Sequence, residues 1–345
     1  METILFLAFT DDEGKLAKAQ LETLTAARLL TDGLPDAVFC AGFIGGAAQP
    51  AADQIAACGA GRFLAAAGED FSQPRYATDA EAAEALARAA GATIILSAGV
   101  SRWSRIAGGV AHRIGGRADT HATMLRAANG APEIQRWYYR QRMIATIQRK
   151  HRPWVISVDP GCFEPWTGQT GTASIKNVAV AVGDGDKRTR FESFKAPAAN
   201  QQTIRPDAEL LLVAGAGWTK KQRDGQIHVP DAEKLILGFL DKTQASLGGS
   251  KSLVDQSGDG NTVLSFMTHL NQIGQTGATP RHPKGLATCC HGEEPHVVGW
   301  RFVTQRRAVN LDPNCGWAHG KADVLYVTDA FEVMTKVNEL LQKQT

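Results

Sequence analysis

The sequence has little of what marks several large protein classes. Its six cysteines, Cys40, Cys58, Cys162, Cys289, Cys290 and Cys315, include no C-x-x-C pair. A zinc ribbon, a thioredoxin-like redox pair and an iron–sulfur cluster are therefore not expected. No apolar run approaches the ~20 residues of a bilayer-spanning helix. Met1-Glu2-Thr3-Ile4 lacks the basic stretch and apolar run that open a secretory signal. A reducing cytoplasm is the expected compartment. The net charge of +2 is too small to indicate a nucleic-acid binder. The basic segment from Arg136 to Arg152 reads as a local, solvated helix face. There is no G-x-S-x-G nucleophile elbow and no G-x-x-x-x-G-K-[ST] phosphate loop, so no catalytic residue is nominated.

What is present is informative through its order. A chain of 345 residues exceeds the size at which one core stops growing, so two domains are expected. The first half alternates strand and helix signals. Residues 3–9 form a continuous apolar run, short enough for a buried parallel strand. Asp11, Asp12 and Glu13 suit a helix N-terminus, and Ala17, Leu21 and Leu24 recur at helical spacing. Residues 37–43, 62–67 and 93–97 read as further strands, with an alanine-rich helix over 81–90. Residues 153–158 and 176–182 read as later strands of the same unit. Residues 187–206 are polar and lack periodicity, which places a domain boundary between 203 and 204. A second alternation follows: strands over 209–214, 286–290, 307–309 and 324–327, and helices over 231–240 and 331–341. The expected fold class is α/β. Its two domains, 1–203 and 204–345, each hold a mostly parallel sheet flanked by helices, the second doubly wound.

Candidate chemistry is sparse. Gly215-Ala216-Gly217 follows a strand, but Lys220 stands where G-x-G-x-x-G needs its third glycine, so the turn reads as structural. Gly258-Asp259-Gly260 reads as a surface turn. His291 and His296 flank Glu293 and Glu294, yet the spacing is not H-E-x-x-H, and Gly292 and Pro295 oppose a helix. No metal site is expected.

The second half carries a longer pattern. It runs Ile273-Gly274-Gln275-Thr276-Gly277, then His291-Gly292 and His296. Ala308-Val309-Asn310-Leu311-Asp312-Pro313 follows, then Asp323 and Asp329-Ala330-Phe331. Upstream stands Gly249-Ser250-Lys251-Ser252-Leu253-Val254-Asp255. This order resembles the FAD domain of the electron transfer flavoprotein α subunit. That family has a V-G-Q-T-G turn, an S-G-A-x-Q-H loop, an A-I-N-x-D-P strand end, a late D-L-F and an upstream G-A-S-R-A-x-V-D. The first half is similar only in outline, through Ala111-His112-Arg113 and Ala118-Asp119. A second Gln-Thr-Gly at 168–171 lacks the flanking pattern and reads as a loop.

The resemblance implies a role for each matching position. Gly274, Gln275 and Thr276 would lie at the flavin ring, with the Thr276 hydroxyl beside N5. Ser250 and Lys251 match the Ser-Arg pair whose cation sits over the flavin, where positive charge favours a reduced, anionic ring. Gly292 and His296 match the loop whose histidine approaches the flavin O2. Asn310, Asp329 and Ala330 match positions that hold the ADP half. Three departures stand out. Lys251 replaces a planar guanidinium with a point charge. Trp218 stands near the family's S-G-G-R-G arginine, with packing as its expected use. Glu293-Glu294-Pro295 brings two carboxylates toward a pyrophosphate and removes a backbone donor.

The implied function is electron carriage rather than substrate chemistry. The implied cofactor is FAD, with AMP in a partner β subunit. The implied partners are that β subunit, a flavoprotein dehydrogenase donor and a membrane-bound quinone oxidoreductase acceptor. The first domain would then be scaffold and β-subunit contact. The alternatives are a cofactor-poor partner-binding subunit and a stand-alone flavin oxidoreductase.

Overall fold

The structure is a computed structural model, and it describes residues 1–138, 143–193, 204–205, 208–255, 263–274, 278, 280–288, 303–314 and 322–343. The chain divides into two compact units, Met1–Phe194 and Lys195–Thr345. Both are α/β, with parallel-rich sheets flanked by helices.

In the first unit the order is β1 (Thr3–Phe9), α1 (Lys18–Gly33), β2 (Val38–Gly45), α2 (Gln49–Gln54), β3 (Arg62–Ala67), α3 (Glu69–Ser72), α4 (Tyr76–Ala90) and β4 (Ile94–Ala98). Then come α5 (Ser101–Arg113), β5 (Arg117–Ala128), β6 (Ala131–Tyr138), β7 (Met143–Ile147), β8 (Trp154–Val158) and β9 (Ile175–Asn177). Among the described residues they form a nine-stranded sheet, ordered β7-β6-β5-β8-β4-β1-β2-β3-β9. Successive side chains of a strand point to opposite faces. Ile4, Phe6 and Ala8 of β1 accordingly join a core with Leu24, Ala27 and Leu30 of α1. Leu5, Leu7 and Phe9 join the opposite core with Leu86 of α4 and with Ile106 and Val110 of α5. Helices on both faces are why the strand is apolar at every position rather than at alternate ones.

Three expectations are corrected here. Asp11 does not begin a helix. Its carboxylate accepts from the amides of Glu13 (3.0 Å) and Lys15 (2.8 Å), which folds a turn, and α1 starts at Lys18. Where it is described, the basic segment is strand and coil, not helix: residues 136–138 close β6, Met143–Ile147 is β7, and β5, β6 and β7 form an antiparallel ribbon. Its turn is Asn129-Gly130, with φ of 53° and 75°. A two-residue Asn-Gly loop with both φ positive is the strongest short-range hairpin signal, and it outweighs the charge pattern. Strand pairing over 176–182 ends at Asn177, and Val178, Val180 and Val182 pack on the core beyond it. The described residues also contain two elements not expected above: strand 246–249, whose glycines blunt the hydropathy pattern, and helix 101–113, whose Trp103, Ile106, Ala107, Val110 and Ala111 do recur at helical spacing.

The ribbon's charges are spent internally. Asp119, 3% exposed, accepts from Trp154 Nε1 (2.8 Å), from both Arg149 nitrogens and from Arg136 Nη1 (3.4 Å). Burial opposes its ionisation, but the bonds from Arg149 and Trp154 and the two cationic charges outweigh it, holding the carboxyl below its usual range. Asp79 goes the other way. Burial pushes its carboxyl up, although Arg102 grips both oxygens at 2.7 and 2.9 Å.

The second unit runs β10 (Leu210–Ala214), α6 (Val229–Thr243), β11 (Ser246–Gly249), α7 (Lys251–Asp255), β12 (Lys284–Thr288), β13 (Gln305–Asn310), β14 (Val324–Val327) and α8 (Ala330–Gln342). Its five described strands are all parallel, in the order β11-β10-β12-β13-β14. Leu212 and Ala214 face a core shared with Ile236 and Phe239 of α6 and Met334 of α8, while Leu211 and Val213 face a smaller core with Ile273 and Ala308.

Candidate functional site

In the second sheet the chain leaves β10 for β11 on one side, then returns past β10 to β12 on the other. The order reverses between β10 and β12, and in open α/β sheets ligands bind at the carboxyl ends of strands beside such a reversal. The register aligns those ends: Ala214 pairs with Gly249 and with Thr288, and Asn310 pairs with Val327. Ser250, Lys251, Asn310, Asp329 and Ala330, nominated from sequence, all fall at this edge.

Ser250 follows β11. Its N–H donates to the Ala214 carbonyl (3.1 Å), and its own carbonyl accepts from Leu253 and Val254, which opens the short α7. Lys251 is exposed as the first residue of that helix. Gly274 lies in a turn folded back onto β11. Ile273 donates to Gly249 (3.1 Å), Gly274 donates to Ala278 (2.8 Å), and Ala278 donates to Gln272 (2.8 Å). Gly274 has φ +116°, a conformation other residues rarely adopt. Gly248 lets the turn lie flat, since a Cβ there would stand 2.7 Å from Ile273 Cγ2. The structure thus brings Gly274 beside Ser250 through residues remote in sequence. Gln275, Thr276, Gly292 and His296 lie outside the described residues, as do Cys289, Cys290 and 258–260.

Asn310 ends β13 and is 6% exposed. Its side-chain oxygen accepts from the Asp312 amide (3.3 Å), and its carbonyl accepts from Thr328 (3.1 Å). Its amide Nδ2 is buried and has no hydrogen-bond partner among the described residues. An orphaned buried donor costs about 1–3 kcal/mol, and a ligand carbonyl, hydroxyl or phosphate oxygen would satisfy it. Asp329 caps α8: its carboxylate accepts from the amides of Phe331 (2.7 Å) and Glu332 (3.4 Å). Ala330 is buried behind it. Asp323, part of the same sequence pattern, sits at the other end of the sheet, where it accepts from the amide of Arg306 (2.6 Å) and from its guanidinium (3.1 Å). Those bonds, the amide's first, hold its carboxyl below the usual range.

Trp218 is fully buried in the turn after β10. Its indole N–H donates to the Thr288 hydroxyl (2.9 Å), and its ring meets Phe331 at 4.6 Å and 56°. It packs, as expected. Thr288 was not nominated from sequence; a lone hydroxyl within the apolar run 286–290 was its one signal.

From β11 to β14 the edge spans four strand spacings, about 19 Å at ~4.8 Å each, the order of an extended dinucleotide. The residues therefore fit such a group in length, in backbone clearance and in one unmatched donor. Among the described residues no three His, Cys, Asp or Glu side chains gather as metal ligands. No described helix is long and apolar enough to cross a membrane.

The family model of the electron transfer flavoprotein domain matches residues 4–183, the region where the motif pattern was faintest. The chain is 24% identical over 332 residues to the electron transfer flavoprotein subunit alpha of Syntrophomonas wolfei subsp. wolfei, covering 95% of this chain and 96% of that one. It is 26% identical over 309 residues to protein FixB of Clostridium saccharobutylicum, covering 87% and 85%. With two α/β units and full-length relatives of this kind, the chain belongs to the electron transfer flavoprotein family as a divergent member related to the α subunits, and its role is that of an electron-transfer flavoprotein.

Proposed function

We propose that this chain is the FAD-carrying subunit of a cytoplasmic electron carrier. It takes electrons from a flavoprotein dehydrogenase and delivers them to a membrane-bound quinone oxidoreductase. A β subunit, with AMP as its own nucleotide, completes the heterodimer. Residues 1–203 serve as scaffold and β-subunit contact, and 204–345 hold FAD. The observation that carries this reading is the unmatched Asn310 amide on the same strand-end edge as Ser250, Lys251 and Asp329.

Bound FAD supplies the redox chemistry. The chain's own residues bind and tune it. Gly274, with Gln275 and Thr276 next in sequence, would meet the ring. Lys251 supplies positive charge, which raises the affinity of the site for electrons. Gly292 and His296 match the family loop by sequence alone, and a donor from His296 would stabilise negative charge on the ring. Asn310 would donate to the ADP half, and Asp329 and Ala330, which set the start of α8, would border it.

The test is an absorbance spectrum of the full chain co-expressed with a β-type subunit. A flavin band is expected, with less flavin retained by Asn310→Ala and a lower potential in Lys251→Ala. Colourless wild-type protein overturns the reading. A second reading, a partner-binding subunit without flavin, draws on Asp329, whose carboxylate is engaged in capping α8. It requires that same colourless protein to bind the β subunit.

A further inference from the structure

We propose that Trp218 and Thr288 form a positioning pair for the dinucleotide edge, setting the distance between the turn after β10 and the start of α8. The inference rests on the FAD reading above. Four contacts carry it. The Trp218 indole donates to Thr288 Oγ1 at 2.9 Å, and both residues are fully buried. Thr288 Oγ1 in turn lies 3.3 Å from the Val213 carbonyl, and the Thr288 carbonyl accepts from Gly215 N at 2.9 Å. The Trp218 ring packs on Phe331, whose amide is held by Asp329.

The indole is thus fixed at one end to the reversal point between β10 and β12. At the other end it meets the first turn of the helix that follows β14. A large aromatic side chain with its one polar atom satisfied has few alternative positions. It links the reversal point to the start of α8 without occupying the edge. Neither residue touches a ligand atom in this assignment; each acts through the backbone it fixes. A hydroxyl at 288 matters because Trp218 Nε1 has no exposure and would otherwise be unmatched.

Thr288→Val, Thr288→Ser and Trp218→Phe in the full chain, each reconstituted with FAD, separate positioning from simple packing. The readouts are the FAD dissociation constant and the visible circular dichroism of the bound flavin, beside thermal stability. Thr288→Val should weaken FAD about tenfold and change the flavin dichroism. Thr288→Ser should restore both, and Trp218→Phe should resemble Thr288→Val. If Thr288→Val lowers stability but leaves affinity and dichroism unchanged, the pair is only packing and the proposal fails. If Thr288→Ser is as impaired as Thr288→Val, the hydrogen bond is not the cause and the proposal also fails. If wild-type protein takes up no FAD, the FAD reading falls, and this inference with it.

Discussion

The two units differ most in how their sheets end. The first is covered on both faces, and β1 is buried from Ile4 to Phe9. One flank continues into the β5–β7 ribbon, tied back by Asp119. The second is a smaller parallel sheet whose outer strand, β14, leaves Val324, Tyr326 and Val327 exposed by 41%, 42% and 53%. The family signature is split in the same way. The family model matches within the first unit, while the motifs that resemble cofactor positions lie in the second. A packed sheet constrains many positions weakly and together. A ligand edge constrains a few positions strongly, and those are the ones on which a divergent member departs.

The sharpest way to break this comparison is a pair of truncations. Leu7→Ala, in the doubly covered core, should cost about 4 kcal/mol, and Val327→Ala, on the exposed edge, about 0.5 kcal/mol or less. Urea titration checks both, and equal costs would remove the distinction between buried and exposed strands. Next in size is Asp119→Ala, which leaves Trp154 Nε1 and two arginines without their acceptor. About 3 kcal/mol is expected by the same titration.

Acidity sharpens the contrast within the first unit. Asp119 is held below its usual range in the folded chain, so its contribution is complete above the ordinary carboxylate value and is lost as pH falls through the lowered one. Asp79 is raised, so the folded chain gains stability as pH falls through its raised value toward the ordinary one. Stability measured against pH should lose its acid-side decline partly in Asp119→Asn, whereas Asp79→Asn should steepen the net decline. The same slope in both variants would contradict these opposite shifts.

In the second unit, Gly248→Ala drives a methyl toward Ile273 and should lift the turn that holds Gly274, at about 2 kcal/mol. Thermal unfolding reads the cost, and loss of FAD affinity in the same variant ties it to the edge. A smaller effect than that of Gly248→Ala is expected for Asp329→Ala, about 1 kcal/mol from the lost cap, with Asp329→Asn closer to wild type. If the two substitutions weaken FAD unequally while unfolding alike, Asp329 has a role beyond capping.

Much of the fold was legible because buried parallel strands are nearly continuous apolar runs. The strands at Thr3–Phe9, Arg62–Ala67 and Val324–Val327 have the bounds the sequence suggested. The ribbon was not legible because clustered arginines resemble a solvated face, whereas Arg136 and Arg149 serve Asp119, remote in sequence, and the hairpin signal sits at Asn129-Gly130, outside the cluster. Ser246–Gly249 was missed because two glycines erase the hydropathy signal of a strand; their use is to admit Ile273 and Met267, which no local window contains. At the site, motif order nominated Ser250, Lys251, Asn310 and Asp329, but not Thr288, whose partner is 70 residues away.

By itself the sequence determined the α/β class, most of the strand set and the family resemblance. Each depends on the spacing of side chains along one segment of backbone. The tertiary structure decided which residues share the carboxyl edge, that Asn310 carries an unmatched buried amide, and that Trp218 binds Thr288. Those facts depend on strand order and register. A parallel sheet obtains both from long crossovers that bring distant segments together, and local pattern does not encode them.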